Sequence, residues 1–243
     1  MQRILIIGGS GGIGRAVARL VTSAGGCVFL AARDPARLAT VAGEVASPYA
    51  VVDATDPDAV DACADAAAAA LGGLDGIVNA AGSLLLKPAH LTSTADWQAT
   101  LAANLTSAFG CVRAAGRLLR SSGGSVVLVS SAAARVGIAN HEAIAAAKAG
   151  VIGLVLSAAA TYARQRIRFN AVAPGLVRTP LTAGLVASEP AEKASLAMHP
   201  LGRLGEPDDV ARAIAFLLDP AQAWITGQVL GIDGGLADLK PRA

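Results

Sequence analysis

The stretch Gly8-Gly9-Ser10-Gly11-Gly12-Ile13-Gly14, continuing as Arg15-Ala16-Val17-Ala18-Arg19-Leu20, decides how the chain folds. A short apolar run, Arg3–Ile7, leads into it, and a helical pattern, Gly12–Ser23, leads out. Glycines at such a junction let the chain turn sharply. They also let backbone N–H groups approach a pyrophosphate at the helix N-terminus, where the helix dipole favours anions. The run parses in two ways: Gly9-x-Gly11-x-x-Gly14 is the general dinucleotide fingerprint, and Gly8-x3-Gly12-x-Gly14 is a different spacing. The strand–loop–helix context supports a dinucleotide site over the alternative, a plain glycine-rich turn.

The residue that reads the adenosine ribose is expected about 20 residues further on, at the end of the second strand. The local sequence is Leu30-Ala31-Ala32-Arg33-Asp34-Pro35. A carboxylate at the strand end would accept from a ribose 2′-OH and repel a 2′-phosphate, but Ala32-Arg33 stands there. Asp34 is better explained as a helix N-cap, because Pro35 follows at the favoured first helical position. Arg33 therefore points to a 2′-phosphate and to NADP (NADPH). If Arg33 is only a solvated surface charge, NAD is the alternative.

Further along, short apolar runs alternate with Ala-rich helical stretches. The strand candidates are Arg3–Ile7, Cys27–Ala31, Tyr49–Asp53, Gly76–Asn79, Ser125–Ser130, Ile167–Val172 and Gln228–Ile232. The helix candidates are Gly12–Ser23, Pro35–Ala46, Pro57–Leu71, Asp96–Ser121, Glu142–Gln165 and Pro207–Leu218. This alternation predicts an α/β fold of Rossmann type, a three-layer αβα sandwich around a seven-stranded parallel sheet. No linker, charge run or repeat divides residues 1–243, so a single domain is expected.

Composition excludes more than it identifies. With 20 basic and 18 acidic side chains the net charge is +2, so no global attraction to nucleic acid or an anionic membrane is expected. A hydrophobic content of 53% excludes a disordered chain. The three cysteines, Cys27, Cys63 and Cys111, form no CxxC, which points to reduced, mostly buried thiols and neither a disulfide frame nor a metal site. The start, MQRILIIGGS, lacks the long apolar stretch of a signal peptide, and no run reaches about 18 uninterrupted apolar residues. A cytoplasmic protein is expected.

On these landmarks the chain resembles the short-chain dehydrogenase/reductase family over essentially its whole length. Gly8-x3-Gly12-Ile13-Gly14, with Ser10 inside it, looks like the family's glycine motif, although Ile7 stands where a Thr is usual. Asp53 sits where family members hydrogen-bond the adenine. Asn79-Ala80-Ala81-Gly82 resembles the NNAG element, with Ala80 replacing the second Asn. Pro174-Gly175-Leu176-Val177-Arg178-Thr179-Pro180 is similar to the loop that holds the nicotinamide carboxamide. Asn79 could equally satisfy a turn, as could Pro174-Gly175.

The resemblance implies a catalytic set of Asn104, Ser131 and Lys148. Ser131 would hydrogen-bond the substrate carbonyl, Lys148 the nicotinamide ribose hydroxyls, and Asn104 a proton-relay water. The family's proton donor is a Tyr four residues before the Lys, but that position is Ile144. The only tyrosines are Tyr49 and Tyr162, and Tyr162 lies about 21 Å along a helix axis beyond Lys148. His141 precedes Lys148 by seven residues, two helical turns, an offset resembling the Tyr–x6–Lys arrangement of the enoyl-reductase branch. It is therefore a candidate substitute acid; the alternative is that His141 marks an exposed helix start. His90 and His199 lie in loop-like segments and are expected at the surface.

Between Thr179-Pro180 and Pro200, the segment 181–198 carries Leu181, Leu185, Val186, Leu196 and Met198, with Glu189, Glu192 and Lys193 expected to face water. It reads as a mobile apolar substrate lid, or as a surface helix that is simply amphipathic. The partner expected is a small, apolar molecule. The resemblance also implies a homotetramer built through the Asp96–Ser121 and Glu142–Gln165 helices and the last strand. Two functions fit: an atypical NADP-dependent oxidoreductase acting on a carbonyl, a hydroxyl or an activated C=C bond, or a catalytically silent NADP-binding regulator or assembly subunit.

Overall fold

The computed structural model describes residues 1–240. Its strands are β1 (Arg3–Ile7), β2 (Cys27–Ala32), β3 (Tyr49–Val51), β4 (Gly76–Asn79), β5 (Gly124–Val129), β6 (Ile167–Pro174) and β7 (Val229–Ile232). They form one parallel sheet in the order β3-β2-β1-β4-β5-β6-β7. Central strands of such a sheet are covered on both faces. Accordingly every residue of β4 and β6 is buried.

Helices lie on both faces: α1 (Gly12–Ser23), α2 (Pro35–Glu44), α3 (Pro57–Leu71), α4 (Thr94–Leu101), α5 (Ser107–Leu118), α6 (Glu142–Tyr162), α7 (Glu189–Ala197) and α8 (Pro207–Leu218). Alternation along β1 sets the two cores. Leu5 and Ile7 pack with α3, α5 and α6, whereas Ile4 and Ile6 pack with α1, α2 and α8. The Rossmann-type three-layer arrangement is therefore the one expected.

The differences from the sequence reading have local causes. The third strand stops at Val51 because Asp53 takes the Thr55 N–H and hydroxyl onto its Oδ1, closing a turn. The helix expected over Asp96–Ser121 begins at Thr94, where Ser93 and Asp96 form a capping box. It is then interrupted by a π-helical turn, Ala102–Thr106. The second helix ends at Glu44, and Ala46 turns left-handed at φ 48°. Strands β5 and β6 extend to Gly124 and Pro174, and β7 begins at Val229. The 181–198 segment contains an unexpected 3-10 turn, Ala183–Val186, and the helix α7, none of whose residues is buried.

Glu142–Gln165 is long and apolar enough by composition to cross a membrane, with mean hydropathy 1.9 over its most apolar window. Here Val151, Val155, Ala158 and Ala159 belong to the core beside β5 and β6. A helix that covers a sheet in this way is apolar for that reason.

Candidate active site

Two cavities meet at the carboxyl ends of the strands, on either side of the β1–β4 switch in strand order. The first, about 780 Å³, lies over the glycine loop. Gly8 turns at φ +82°, and a Cβ there would sit 2.4 Å from the Ala81 nitrogen. A Cβ on Gly14 would sit 2.3 Å from the Gly8 oxygen. Gly14 thus serves the packing of helix on loop and does not line the cavity, whereas Gly8, Ser10, Gly12 and Ile13 do. The N-cap of α1, Gly11, offers no side chain, so no cap blocks the first-turn N–H groups. Free first-turn N–H groups of this kind can hold a phosphate.

At the far end of this cavity lie Arg33, Asp53 and a residue that the sequence reading passed over, Arg37. Asp34 caps α2 by accepting the Arg37 N–H, and the Arg37 guanidinium reaches the Ser10 carbonyl at 3.4 Å. The signal was present in the Arg33-x3-Arg37 spacing, which brings one cation just before the N-cap of α2 and the other into its first turn. The Asp53 carboxyl is held below the usual range, first by the Thr55 bonds and in part by the Arg33 charge.

The second cavity, about 470 Å³, gathers Asn104, Ser131, His141, Ile144 and Lys148. Ser130 and Ser131 end β5 and divide the work. The buried Ser130 hydroxyl donates to the Lys148 carbonyl at 2.8 Å, fixing α6 to the strand end. Ser131 caps a short 3-10 turn by accepting the Ala133 N–H, so its own hydroxyl hydrogen stays available. Lys148 is buried, and its ammonium donates to the Val129 carbonyl at 2.8 Å. Burial pushes its pKa down from 10.5 to about 8. Asn104 sits in the π-helical turn, donating to Ser83 Oγ and the Thr100 carbonyl. A Cβ on Gly82 would lie 2.8 Å from Asn104 Oδ1 and 3.6 Å from Lys148 Nζ, so these three residues converge.

Ile144 is 4% exposed and lies one turn before Lys148 on the buried side of α6. His141 occupies the N-cap of that helix, outside its first turn, after Asn140 at φ 64°. Its Nδ1 meets the Ala139 carbonyl at 2.7 Å. A carbonyl only accepts, so Nδ1 carries hydrogen and Nε2 is the remaining site for a proton. Neither tyrosine lines the cavity. Tyr49 starts the edge strand β3, and Tyr162 stacks on Phe169 at 5.5 Å between ring centroids.

The other expected site residues divide. Ala80, Gly82 and Thr179 line the cavities, as do Pro174, Gly175 and Val177. Asn79 does not. It is buried, donating to Ser107 Oγ and accepting the Ala81 N–H, which holds the turn after β4. His199 corrects the sequence reading: it is 4% exposed, not at the surface, because β6 and the last loop close around it. Glu192 keeps to the solvent side as expected, and there it pairs with Arg178. Leu84, Leu86, Ile138 and Leu236 complete the apolar wall, and no spacing rule announces them.

The family model described as enoyl-(acyl carrier protein) reductase matches residues 8–237. The chain is 43% identical over 242 residues to cis-4-hydroxycyclohexanecarboxylate dehydrogenase of Sinomonas cyclohexanicum, covering 96% of each chain. It is 35% identical over 241 residues to 3-oxoacyl-(acyl-carrier-protein) reductase of Thermotoga maritima, again covering 96% of each. A solved short-chain type dehydrogenase/reductase from Mycobacterium ulcerans superimposes with a TM-score of 0.93 at 32% identity, over 97% of this chain and 90% of that one. Fold, site and relatives together define an oxidoreductase of the nicotinamide-dinucleotide class, acting on small molecules. The chain belongs to the short-chain dehydrogenase/reductase family.

Proposed function

We propose that the protein is an NADP(H)-dependent oxidoreductase with an altered proton-donor site, acting on an apolar carbonyl or hydroxyl compound or on an activated C=C bond. The observation that carries this reading is the second cavity, where Ser131, Lys148 and His141 share walls with Ile144. The first cavity fits the dinucleotide: an uncapped helix N-terminus takes the pyrophosphate, and Arg33 and Arg37 flank the place of a 2′-phosphate. When bound, the cofactor supplies two electrons and a hydrogen to the substrate carbon, or takes them from an alcohol.

The chain's own residues do the rest. Ser131 donates its hydroxyl hydrogen to the substrate oxygen. Lys148, held by Val129 and Ser130, keeps a positive end under the ribose. Ile144 neither gives nor takes a proton, so protonation falls to His141 Nε2, directly or through one water. Loss of a general acid costs about 10²–10⁴-fold in rate, which slows carbonyl reduction without forbidding it.

The substrate is uncharged. Leu84, Leu86, Ile138, Leu185, Met198 and Leu236 line the cavity; among the described residues its one Lys or Arg is Lys148, assigned here to the cofactor ribose, and no Asp or Glu lines it. A buried carboxylate would lack a counter-charge at the apolar end. The named substrate of the Sinomonas relative is a carboxylate, and this cavity favours a neutral analogue. Segment 181–198 covers it as a lid, contributing Leu181, Leu185 and Met198, and the whole chain works as one domain. Exposed Phe109 and Leu156, and Leu230 with Trp224 near the β7 edge, support a homotetramer through those surfaces.

The test is oxidation of bound NADPH by a panel of neutral ketones and enones, comparing wild type and His141→Ala in single turnover. Equal rates remove His141 from the reaction. No oxidation by any compound, with NADPH bound, favours the second reading, a silent NADP-binding subunit, for which Ile144 is the supporting observation.

A further inference from the structure

We propose that His199 is a positioning residue that holds the α7 segment in register with the loop after β6, and that only its neutral form does so. His199 follows α7 and is buried between two backbone segments. Its Nδ1 lies 2.7 Å from the Ser195 carbonyl, in the last turn of α7. Its Nε2 lies 3.1 Å from the Leu176 nitrogen, in the Pro174–Thr179 loop. The carbonyl requires hydrogen on Nδ1, and the amide requires a lone pair on Nε2. One tautomer of the neutral ring satisfies both.

The surroundings are shaped for that ring. A Cβ on Gly175 would lie 2.7 Å from His199 Nε2, and a Cβ on Gly234 would lie 3.7 Å from the His199 Cβ. The link therefore joins lid, cofactor loop and C-terminal turn at one point. A second proton would set an Nε2–H against the Leu176 N–H, two donors facing each other with no acceptor between them. An imidazolium thus releases the loop from α7.

No neighbouring carboxylate hydrogen-bonds the ring. Arg203 and Asp209, which line the adjoining cavity, bind each other at 2.6 and 3.0 Å. That pairing draws the Asp209 carboxyl down to about 2. Asp233 accepts the Gly235 and Ala237 N–H groups on its two oxygens and makes no hydrogen bond to His199. Glu192, on α7, is paired with Arg178. Lys148 and His141, on the substrate side, add only positive charge or none. The lid is thereby uncoupled as pH falls, and ligand affinity falls with it.

The inference rests on the proposed cofactor placement, so the experiment reads two independent quantities in the full chain. NADPH affinity is measured by fluorescence from roughly pH 5.5 to 8.5. The rate of proteolytic cleavage within residues 181–198 is measured alongside. Wild type is expected to lose about tenfold in affinity on the acid side, the scale of one net hydrogen bond with its unmet donor. Cleavage should accelerate over the same range.

His199→Gln keeps an acceptor for Leu176 and does not titrate. It should bind within about threefold of wild type at high pH and show no acid limb. His199→Phe should behave at every pH as wild type does in acid. An unchanged acid limb in His199→Gln, or wild-type behaviour in His199→Phe, overturns the proposal. A chain that binds no NADPH at any pH faults the cofactor placement instead, and the cleavage profile then decides His199 alone.

Discussion

Ile144 stands one helical turn before Lys148 on the buried side of α6, and both side chains line the cavity that holds Ser131. A hydrocarbon thus stands one turn from the ammonium, on the wall that both residues share. Ile144→Tyr would put a phenol there, next to a lysine whose charge favours the phenolate. With Ser131 and Lys148 in place, a gain of about 10²–10⁴-fold in ketone reduction is expected. Steady-state NADPH oxidation with a ketone panel measures it. An intact fold without any gain would mean that more of the site than one residue has changed.

His141 is the second term of the same prediction. In the natural background His141→Ala should lower single-turnover reduction by about tenfold or more. In the Ile144→Tyr background the same change should cost little, because the phenol takes over the proton. Such non-additivity is the signature of two groups serving one step. Equal losses in both backgrounds would make His141 a helix-start residue whose removal acts through structure.

The residues that were legible in the sequence, and those that were not, differ in the range of the interactions that place them. Gly8, Gly14 and the Asp34-Pro35 cap announce themselves because backbone turns and helix starts depend on neighbours in the chain. Ile144 was found by counting back from Lys148, since helical spacing is fixed. His199 could not be found that way. Its burial depends on Leu176, 23 residues earlier, and on Gly234, 35 residues later, meeting around the ring. Leu84, Leu86 and Leu236 are likewise apolar residues in loops, and only the folded cavity separates them from ordinary surface leucines. The π-helical turn at Asn104 left no mark in the pattern either, because one extra residue per turn barely disturbs a short amphipathic period.

Cofactor preference provides a separate test at the other cavity. Arg33 and Arg37 both line the first cavity, and Ala32 ends β2 with no carboxylate. Arg33→Ala should weaken NADPH binding by about 10–100-fold, the range of a charge-assisted hydrogen bond, while NADH binding changes little. Arg37→Ala should weaken NADPH less and reduce its salt dependence. Adding Ala32→Asp to Arg33→Ala should turn the preference toward NADH. Titration of both dinucleotides measures these effects, and parallel losses for NADPH and NADH would show that Arg33 does not read the phosphate.

Lys148 separates stability from function. The residue is 7% exposed, its ammonium makes one hydrogen bond, to Val129, and burial pulls its pKa from 10.5 to about 8. At 1.36 kcal/mol per pH unit this burial costs roughly 3 kcal/mol. The lost Val129 bond in Lys148→Met offsets about 1 kcal/mol of that, leaving a net stabilisation of about 2 kcal/mol. The sign follows from proton binding. Below pH 8 the lysine is charged in both folded and unfolded chains, so the cost is present in full. Between pH 8 and 10.5 the folded chain releases its proton first, and the cost fades as pH rises. Urea unfolding should therefore show Lys148→Met more stable than wild type at neutral pH, with the gap narrowing toward pH 10.5. The same variant should bind NADPH more weakly, because it loses the cation proposed to hold the ribose. A variant no more stable at neutral pH would mean that the ammonium is better compensated than its single hydrogen bond indicates.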